Sequence, residues 1–271
     1  MVPEPKHGIE MSLLGCLCGL MKALGIDIGG SAVKGAPVDT LTGRLLADRF
    51  KIETPLLLSP NEMADAAGMI AAHFRWRGPV GMGFPGVIHG GTILTSANLD
   101  KKFIGFDGIK LFSTAMRLPV ALTNDAAAAG LAEMRFGAGK DFKGKALMLT
   151  LGTGVGSALF FRGALFPCEL GHLQIDGRDA EKRVAASVKH RKDLSWKEWG
   201  SRLGRYIDTL EDILWPELII IGGGISAKHA KFFKYVKPRA RLVPAEFLNE
   251  AGIVGAALWA ERERRSGSLR A

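Results

Sequence analysis

The chain has 271 residues, 47% hydrophobic and 23% charged, with a formal net charge of +9. That composition excludes disordered and collagen-like chains and leaves room for one large domain or two medium ones. The basic excess suits anionic partners or solubility alone, and three cysteines are too few for a disulfide framework, so a reducing, cytoplasmic setting is expected.

Residues 1–20 carry the apolar stretch "MSLLGCLCGL", with a lipoprotein-like box at Leu13-Leu14-Gly15-Cys16. The stretch is short, and only Lys6 and His7 precede it as basic residues. It reads as a disordered extension, with Met21 as the functional start. No stretch elsewhere is long and apolar enough to span a bilayer, so no membrane partner is expected.

From Lys22, "KALGIDI" reads as a buried strand, and "SAVKGAPVD" and "RLLADRFKIE" as further strands. "PNEMADAAGMIAAHF" has helical spacing, "PVGMGF" is a short strand, "GFDGIKLFSTAMR" a helix and "PVALTND" a strand. A helix follows Asp125 to about Phe136. The pattern then repeats with strands "KALMLTLG", "GSALFF" and "ALFP", helices over 179–190 and 195–214, the strand "ELIIIGG", a helix "SAKHAKFF" and a last helix "AGIVGAALWAERERR". "KALGIDIGGSAVKGAPV" and "KALMLTLGTGVGSALFF" open the two halves alike, which points to an internal duplication. Two α/β lobes result, over 21–124 and 125–271, each aiming a glycine-rich hairpin at a shared cleft.

In "DIGGSAVKG", Gly29 and Gly30 let backbone N–H groups approach phosphate oxygens, Ser31 adds a hydroxyl, Lys34 a cation, and Asp27 a carboxylate able to hold Mg²⁺ through water. A tight hairpin that needs glycine has equal claim on this motif. "LGTGVGS" supplies a second such turn at Gly152-Thr153-Gly154, and a strand rather than a helix follows it, so a dinucleotide fingerprint fails. "IIIGGGIS" places Gly223 and Gly224 between a strand and a helix, where a phosphate or nucleotide can meet the helix start.

"LTNDAAAAG" poses a choice for Asp125. An aspartate before an alanine helix is a common cap. A carboxylate at a strand end beside phosphate cradles can instead orient a hydroxyl and accept its proton. Downstream, "CELGHLQIDGRDAEKR" gathers Glu169, His172, Asp176, Asp179 and Glu181; His172 is its one imidazole, so zinc is not expected. Acceptors with a mixed donor–acceptor suit a ligand rich in hydroxyls, and Asn98 in "TSANLD" can join them.

The ordered set "GIDIGGSAVKG", "FPGVI", "SANLDKKF", "NDAAAAGLAEMRFGAG", "LTLGTGVGSALF", "ELGHLQIDGRDAE", "IIIGGGIS" and "NEAGIVGAA" resembles the polyphosphate glucokinase branch of the ROK sugar-kinase family from about Leu24 to Ala257. The resemblance implies an actin-like, ribonuclease H-like α/β fold, two lobes around a cleft, with the last helix packing back on the first lobe. It implies phosphoryl transfer to the 6-hydroxyl of glucose with Mg²⁺. Donors in this branch are inorganic polyphosphate and, in some members, ATP; mannose is an acceptor in some. Asp125 matches the catalytic base. Gly86, Asn98, Asn124, Glu169, His172 and Glu181 match the sugar side, and the turns at Gly29-Gly30 and Gly152-Thr153-Gly154 match phosphate contacts. A homodimer is implied. "LQIDGRDAEKR" stands where the wider family has a cysteine-rich zinc motif, so no zinc is expected; Ala127 and Phe103 also depart from the family pattern.

The basic excess then has a use, because polyphosphate offers no base to read. Lys34, Lys101, Lys102, Lys140, Lys143, Lys145 and Arg178 are candidates for a charged track. The rival readings are a strictly ATP-dependent glucokinase or glucomannokinase, a family regulator with a DNA-binding domain, and a non-enzymatic actin-like scaffold. Only the extension of about twenty residues precedes the strand that leads into the first phosphate turn, so no nucleic-acid partner is expected.

Overall fold

The computed structural model describes residues 21–54, 58–97 and 99–269. The expected extension over 1–20 and the candidate sugar ligand Asn98 lie outside the described residues. In the first half, β1 (Lys22–Ile28), β2 (Ala32–Asp39) and β3 (Phe50–Glu53) form an antiparallel meander. Helix α1 (Pro60–His73) leads to β4 (Val80–Phe84), which pairs parallel with β1. A small hairpin, β5 (Ile88–His89) and β6 (Thr92–Ile93), and helix α2 (Gly108–Met116) precede β7 (Val120–Asn124), which is parallel to β4. All five residues of β4 are buried, as an interior parallel strand covered on both faces requires. The start of α1 is set by a capping box between Ser59 and Glu62, and that of α2 by the Asp107 side chain on the Lys110 amide.

Helix α3 (Asp125–Phe136) leaves β7 without a loop. Then β8 (Lys145–Leu151), β9 (Val155–Phe161) and β10 (Ala164–Cys168) repeat the meander. The two-residue strands β11 (Gln174–Ile175) and β12 (Arg178–Asp179) lead into α4 (Glu181–Val184), α5 (Ala186–Arg191) and α6 (Trp196–Leu214). Strand β13 (Leu218–Gly222) lies parallel to β8, β14 (Arg241–Pro244) lies parallel to β13, and α7 (Ala251–Arg265) ends the fold. The sheets run β3-β2-β1-β4-β7 and β10-β9-β8-β13-β14. Equal order and equal strand sense make this a duplicated ribonuclease H-like unit, the actin-like arrangement.

Three apolar clusters hold it. Leu24, Ile26, Met82 and Phe84 of the first sheet pack with Ile70 of α1 and Phe112 of α2. Leu149 and Ile221 of the second sheet pack with Trp199, Leu203 and Tyr206 of α6. Between the sheets, α3 and α7 share a core with Ala23 and Val38 on one side and Met148 and Phe160 on the other. The last helix thus lies between the sheets, against β1 and β4 on one side and α3 on the other.

Some elements differ from the sequence reading. The expected helix over 179–190 is two short helices, because Ala185 takes extended dihedrals between them. The expected helix "SAKHAKFF" is a 3₁₀ segment, Gly224–Lys231, kinked at Lys228. "RLLADRFKIE" is a strand only over Phe50–Glu53.

Candidate active site

A cleft of about 760 Å³ opens between the sheets. Its walls bring together Gly29, Gly30, Gly86, Asn124, Asp125, Gly152, Thr153, Gly154, Glu169, His172, Glu181 and Gly223, twelve of the residues singled out in the sequence. Ser31, Lys34, Asp27 and Gly224 stand outside that wall.

The two glycine turns face each other because each closes the same β-hairpin of a duplicated unit. In the second turn, the Gly154 carbonyl accepts from the Gly152 amide at 3.0 Å, and the Gly152 carbonyl accepts from the Ser187 amide at 3.1 Å. The Thr153 carbonyl accepts from the Ser187 hydroxyl at 2.6 Å. All three carbonyls accept a hydrogen bond inside the protein, and the Gly152 amide is spent on one of them, so of this turn only the Thr153 and Gly154 amides are left to meet an anion. No protein atom would meet a Cβ at Gly152 within 4 Å, so its backbone is open to a ligand. Gly223 adopts a φ of +81°, and a Cβ there would stand 2.4 Å from the Leu151 carbonyl oxygen; only glycine carries the chain from β13 past that hairpin.

Asn124 resolves the choice posed by Asp125. Its Oδ1 accepts from the Ala126 and Ala127 amides at 2.9 and 3.0 Å, so Asn124 is the cap of α3. Its Nδ2 donates to the Gly86 carbonyl at 3.1 Å and to Glu169 Oε1 at 3.3 Å, tying the end of β7 to the second half. Asp125 is left on the first turn of α3, with Oδ1 accepting from the Ala126 amide at 2.8 Å. Burial, and then the negative charge of Asp27, push its carboxyl up from 3.8 to about 7; the Ala126 bond opposes this and Glu169 adds to it. Burial likewise raises Glu169, against the pull of His172.

Replacing Asn124 by Ala removes the cap and the tie to Glu169 together. Loss of a cap costs about 1 kcal/mol, which for a chain of this length is a fall of about 2–4 °C in Tm. A thermal melt reads this directly, and Asn124→Ser, which keeps a capping oxygen, recovers most of the loss.

Asp27 lies behind the first turn. Its Oδ2 is 3.0 Å from Lys34 Nζ, which also donates to the Asn249 carbonyl at 3.3 Å. Lys34 is therefore engaged with the start of the last helix rather than presented to the cleft. Of the other basic candidates, Lys101 lines the cleft. Lys102 pairs with Asp100 at 3.8 Å and Lys145 donates to the Leu214 carbonyl at 2.9 Å. Lys140, Lys143 and Arg178 are exposed and also stand off the wall. The sequence reading missed Lys182, Ser187 and Arg191, which also line the cleft.

The ligating atoms of His172, Asp179 and Glu181 lie within 4.8 Å of one another. Asp179 is already held by Lys182 at 2.7 Å and by the Gln174 amide, so the group is partly neutralised from within.

A model of the ROK family matches residues 23–186. The polyphosphate glucokinase of Mycobacterium tuberculosis (strain CDC 1551 / Oshkosh) is 44% identical over 236 residues, 86% of this chain and 89% of that protein. The solved structure of an inorganic polyphosphate/ATP-glucomannokinase from Arthrobacter sp. strain KM has a TM-score of 0.86 at 44% identity, over 89% of this chain and 99% of that one. A ROK family glucokinase from Streptomyces griseus, solved with glucose and AMPPNP, shares the fold with a TM-score of 0.76 at 22% identity, over 89% and 99%.

Proposed function

The chain belongs to the ROK family, and we propose that its cleft moves a phosphoryl group from inorganic polyphosphate, with ATP as a second donor, to the 6-hydroxyl of glucose. The observation that carries the reading is Asp125: a carboxylate at a strand end, in one cleft with two turns of bare peptide, and held near pH 7 by its surroundings. That is where a general base works best, since it is ionised often enough to accept a proton and basic enough to take one.

Glucose lies against Asp125, Asn124, Glu169, His172 and Glu181, with Gly86 completing the sugar side. The donor's terminal phosphates rest against the turns at Gly29-Gly30 and Gly152-Thr153-Gly154, where the Gly29 and Gly152 amides are held by the Ala32 and Gly154 carbonyls and the others meet the anion, with Gly223 behind them. Asp125 accepts the hydroxyl proton as the sugar O–P bond forms and the terminal P–O–P bond breaks. The shortened polyphosphate, or ADP, leaves with the electron pair. Closure of the lobes keeps water from taking the phosphate instead.

Kinases of this type use a divalent cation with the donor. Mg²⁺ would be held through its waters by Asp27, a hard oxygen donor beside the first turn, set back from the cleft wall, whose Oδ2 now pairs with Lys34 at 3.0 Å. Bound, it would neutralise charge on the donor phosphates. Zinc is not part of the proposal. Cys168 is the only thiol among the described residues, and carboxylates complete the His172 group. The reading extends to mannose as a second acceptor, and to a cytoplasmic homodimer. Edge strand β10 and its neighbour leave Phe166 and Phe161 51% and 43% exposed, apolar surface that a second copy can cover. Among the described residues no helix is long and apolar enough to cross a membrane.

The test is formation of glucose 6-phosphate from polyphosphate and from ATP side by side, with mannose as alternative acceptor. Transfer from polyphosphate supports the reading, transfer from ATP alone moves it to an ATP-dependent glucokinase, and transfer from neither overturns it. The pH dependence is also set. Asp125 acts only when ionised, so kcat/KM falls on the acid side with a limb near pH 7 and about tenfold per unit below it. Removing the second-largest cause of the shift, as in Asp27→Asn, moves that limb to lower pH; the pH–rate profile of both proteins measures it.

A further inference from the structure

The positive charge of the chain is concentrated. Residues 182–192 hold five Lys and Arg and residues 227–241 hold six, with no Asp or Glu in either segment. Those eleven exceed the net +9 of the whole chain. Lys182, Arg183 and Arg239 are engaged with Asp179, Asp176 and Asp212 at 2.7, 2.9 and 2.7 Å. Lys189, Arg191, Lys192, Lys228, Lys231 and Lys234 have no ion-pair partner among the described residues.

The first segment lines the cleft, and the second starts four residues after the wall residue Gly223. Ser187, Val188 and Arg191 of α5 line the cleft beside the second glycine turn. Gly223, also on the wall, opens the 3₁₀ segment that ends at Lys231. The segments meet again at Trp196, whose ring stacks on Phe232 at 6.0 Å. Lys189 Nζ lies 4.3 Å and Lys231 Nζ 5.8 Å from the centre of that ring. Cation–π contact orders both stems while leaving the ammonium groups able to bind an anion.

We propose that this surface is the track along which a long polyphosphate chain runs out of the cleft, with Arg191 at the mouth and Lys189, Lys228 and Lys231 beyond it. The inference rests on the donor reading above. A nucleotide triphosphate ends within the cleft, whereas a long polyphosphate must continue over protein surface, and it carries charge along its whole length with no base to recognise. Compact ammonium charges on flexible stems match a ligand of that kind, which can bind in many registers. Release of counterions supplies the affinity, so the track makes binding steeply dependent on salt.

The test is the double variant Lys228→Glu, Lys231→Glu of the full chain; neither residue lines the cleft. Equilibrium binding of long-chain polyphosphate is measured across salt concentrations, and KM is measured for long-chain polyphosphate, tripolyphosphate and ATP with glucose. The expected result is a Kd and KM for the long chain raised at least about tenfold, with a shallower plot of log K against log salt. KM for tripolyphosphate and ATP stays within about twofold, as charges outside the cleft require. Unchanged long-chain values, or equal losses with all three donors, overturn the track. Wild-type protein that binds long polyphosphate but transfers nothing from it refutes the donor reading and leaves the track standing. Single-stranded RNA of equal phosphate number that binds wild type more tightly than polyphosphate overturns the track in favour of nucleic acid.

Discussion

Asp125→Asn loses at least about 10²-fold in kcat for glucose phosphorylation and melts at a higher temperature than wild type at pH 8. The two halves of this result have one cause. The carboxyl of Asp125 titrates near 7 rather than at 3.8 because burial and Asp27 disfavour its charge. A carboxyl raised in the folded state binds a proton there that the unfolded chain does not hold. Stability is therefore lost as pH rises from about 3.8 to about 7, and above that window the folded state carries the full cost of an ionised group. Asparagine keeps an oxygen for the Ala126 amide and removes the ionisation, so the variant gains most at pH 8 and little near pH 4. It also cannot accept the sugar proton. Turnover of glucose 6-phosphate and melts at the two pH values read both effects. Near-native turnover removes Asp125 from the role of base, and a variant no more stable at pH 8 shows that the carboxylate is not held under strain.

The cleft was legible in the sequence wherever a local motif carries its own reason. Gly29-Gly30 and Gly152-Thr153-Gly154 announce themselves because each follows an apolar strand and opens another within a repeated pattern. Asn124-Asp125 offers two candidate caps in sequence, and the backbone contacts choose between them: the cap is the asparagine, and the aspartate is thereby left to the cleft. Lys34 illustrates the limit. Its position in the first turn suggests a phosphate cation, but Asp27 and the Asn249 carbonyl, 215 residues away, hold it. Ser187 and Arg191 were hidden because 179–190 reads as one helix, and the break at Ala185 that swings α5 against the second turn has no proline or glycine to mark it. The 3₁₀ winding of Gly224–Lys231 is equally silent, since its composition suits an α-helix.

Glycines in the middle of strands were the least legible residues, because they read only as weak strand formers. Their reason is the last helix. A Cβ on Gly25 of β1 would stand 1.9 Å from the Ile253 carbonyl oxygen, and one on Gly81 of β4 would stand 1.7 Å from that of Ala256. On the helix's other side, a Cβ on Gly255 would stand 1.6 Å from the Ala128 carbonyl oxygen of α3. Each obstacle is backbone, so no rotamer change relieves it. Because α7 is pressed by strands on one face and by α3 on the other, moving away from one contact drives it into the next. Gly255→Ala is therefore expected at or beyond the upper end of overpacking, about 3 kcal/mol or more. A fall of about 6–12 °C in Tm follows for a chain of this length, or loss of soluble protein. Gly68→Ala is the matched control, because it sits inside α1 with the nearest obstacle at 3.8 Å. There the added methyl raises stability by about 0.5–1 kcal/mol through helix propensity alone. Activity separates the two further. A Cβ at Gly252, in the first turn of α7, would lie 2.6 Å from the Asp27 carboxylate, so a shift of this helix reaches the group that, after burial, does most to raise the Asp125 carboxyl. Gly255→Ala protein that folds should show its acid limb displaced from pH 7, while Gly68→Ala keeps it. A Gly255→Ala variant as stable as wild type, with the same limb, would mean that α7 is free to move and that the two sheets are not locked through it.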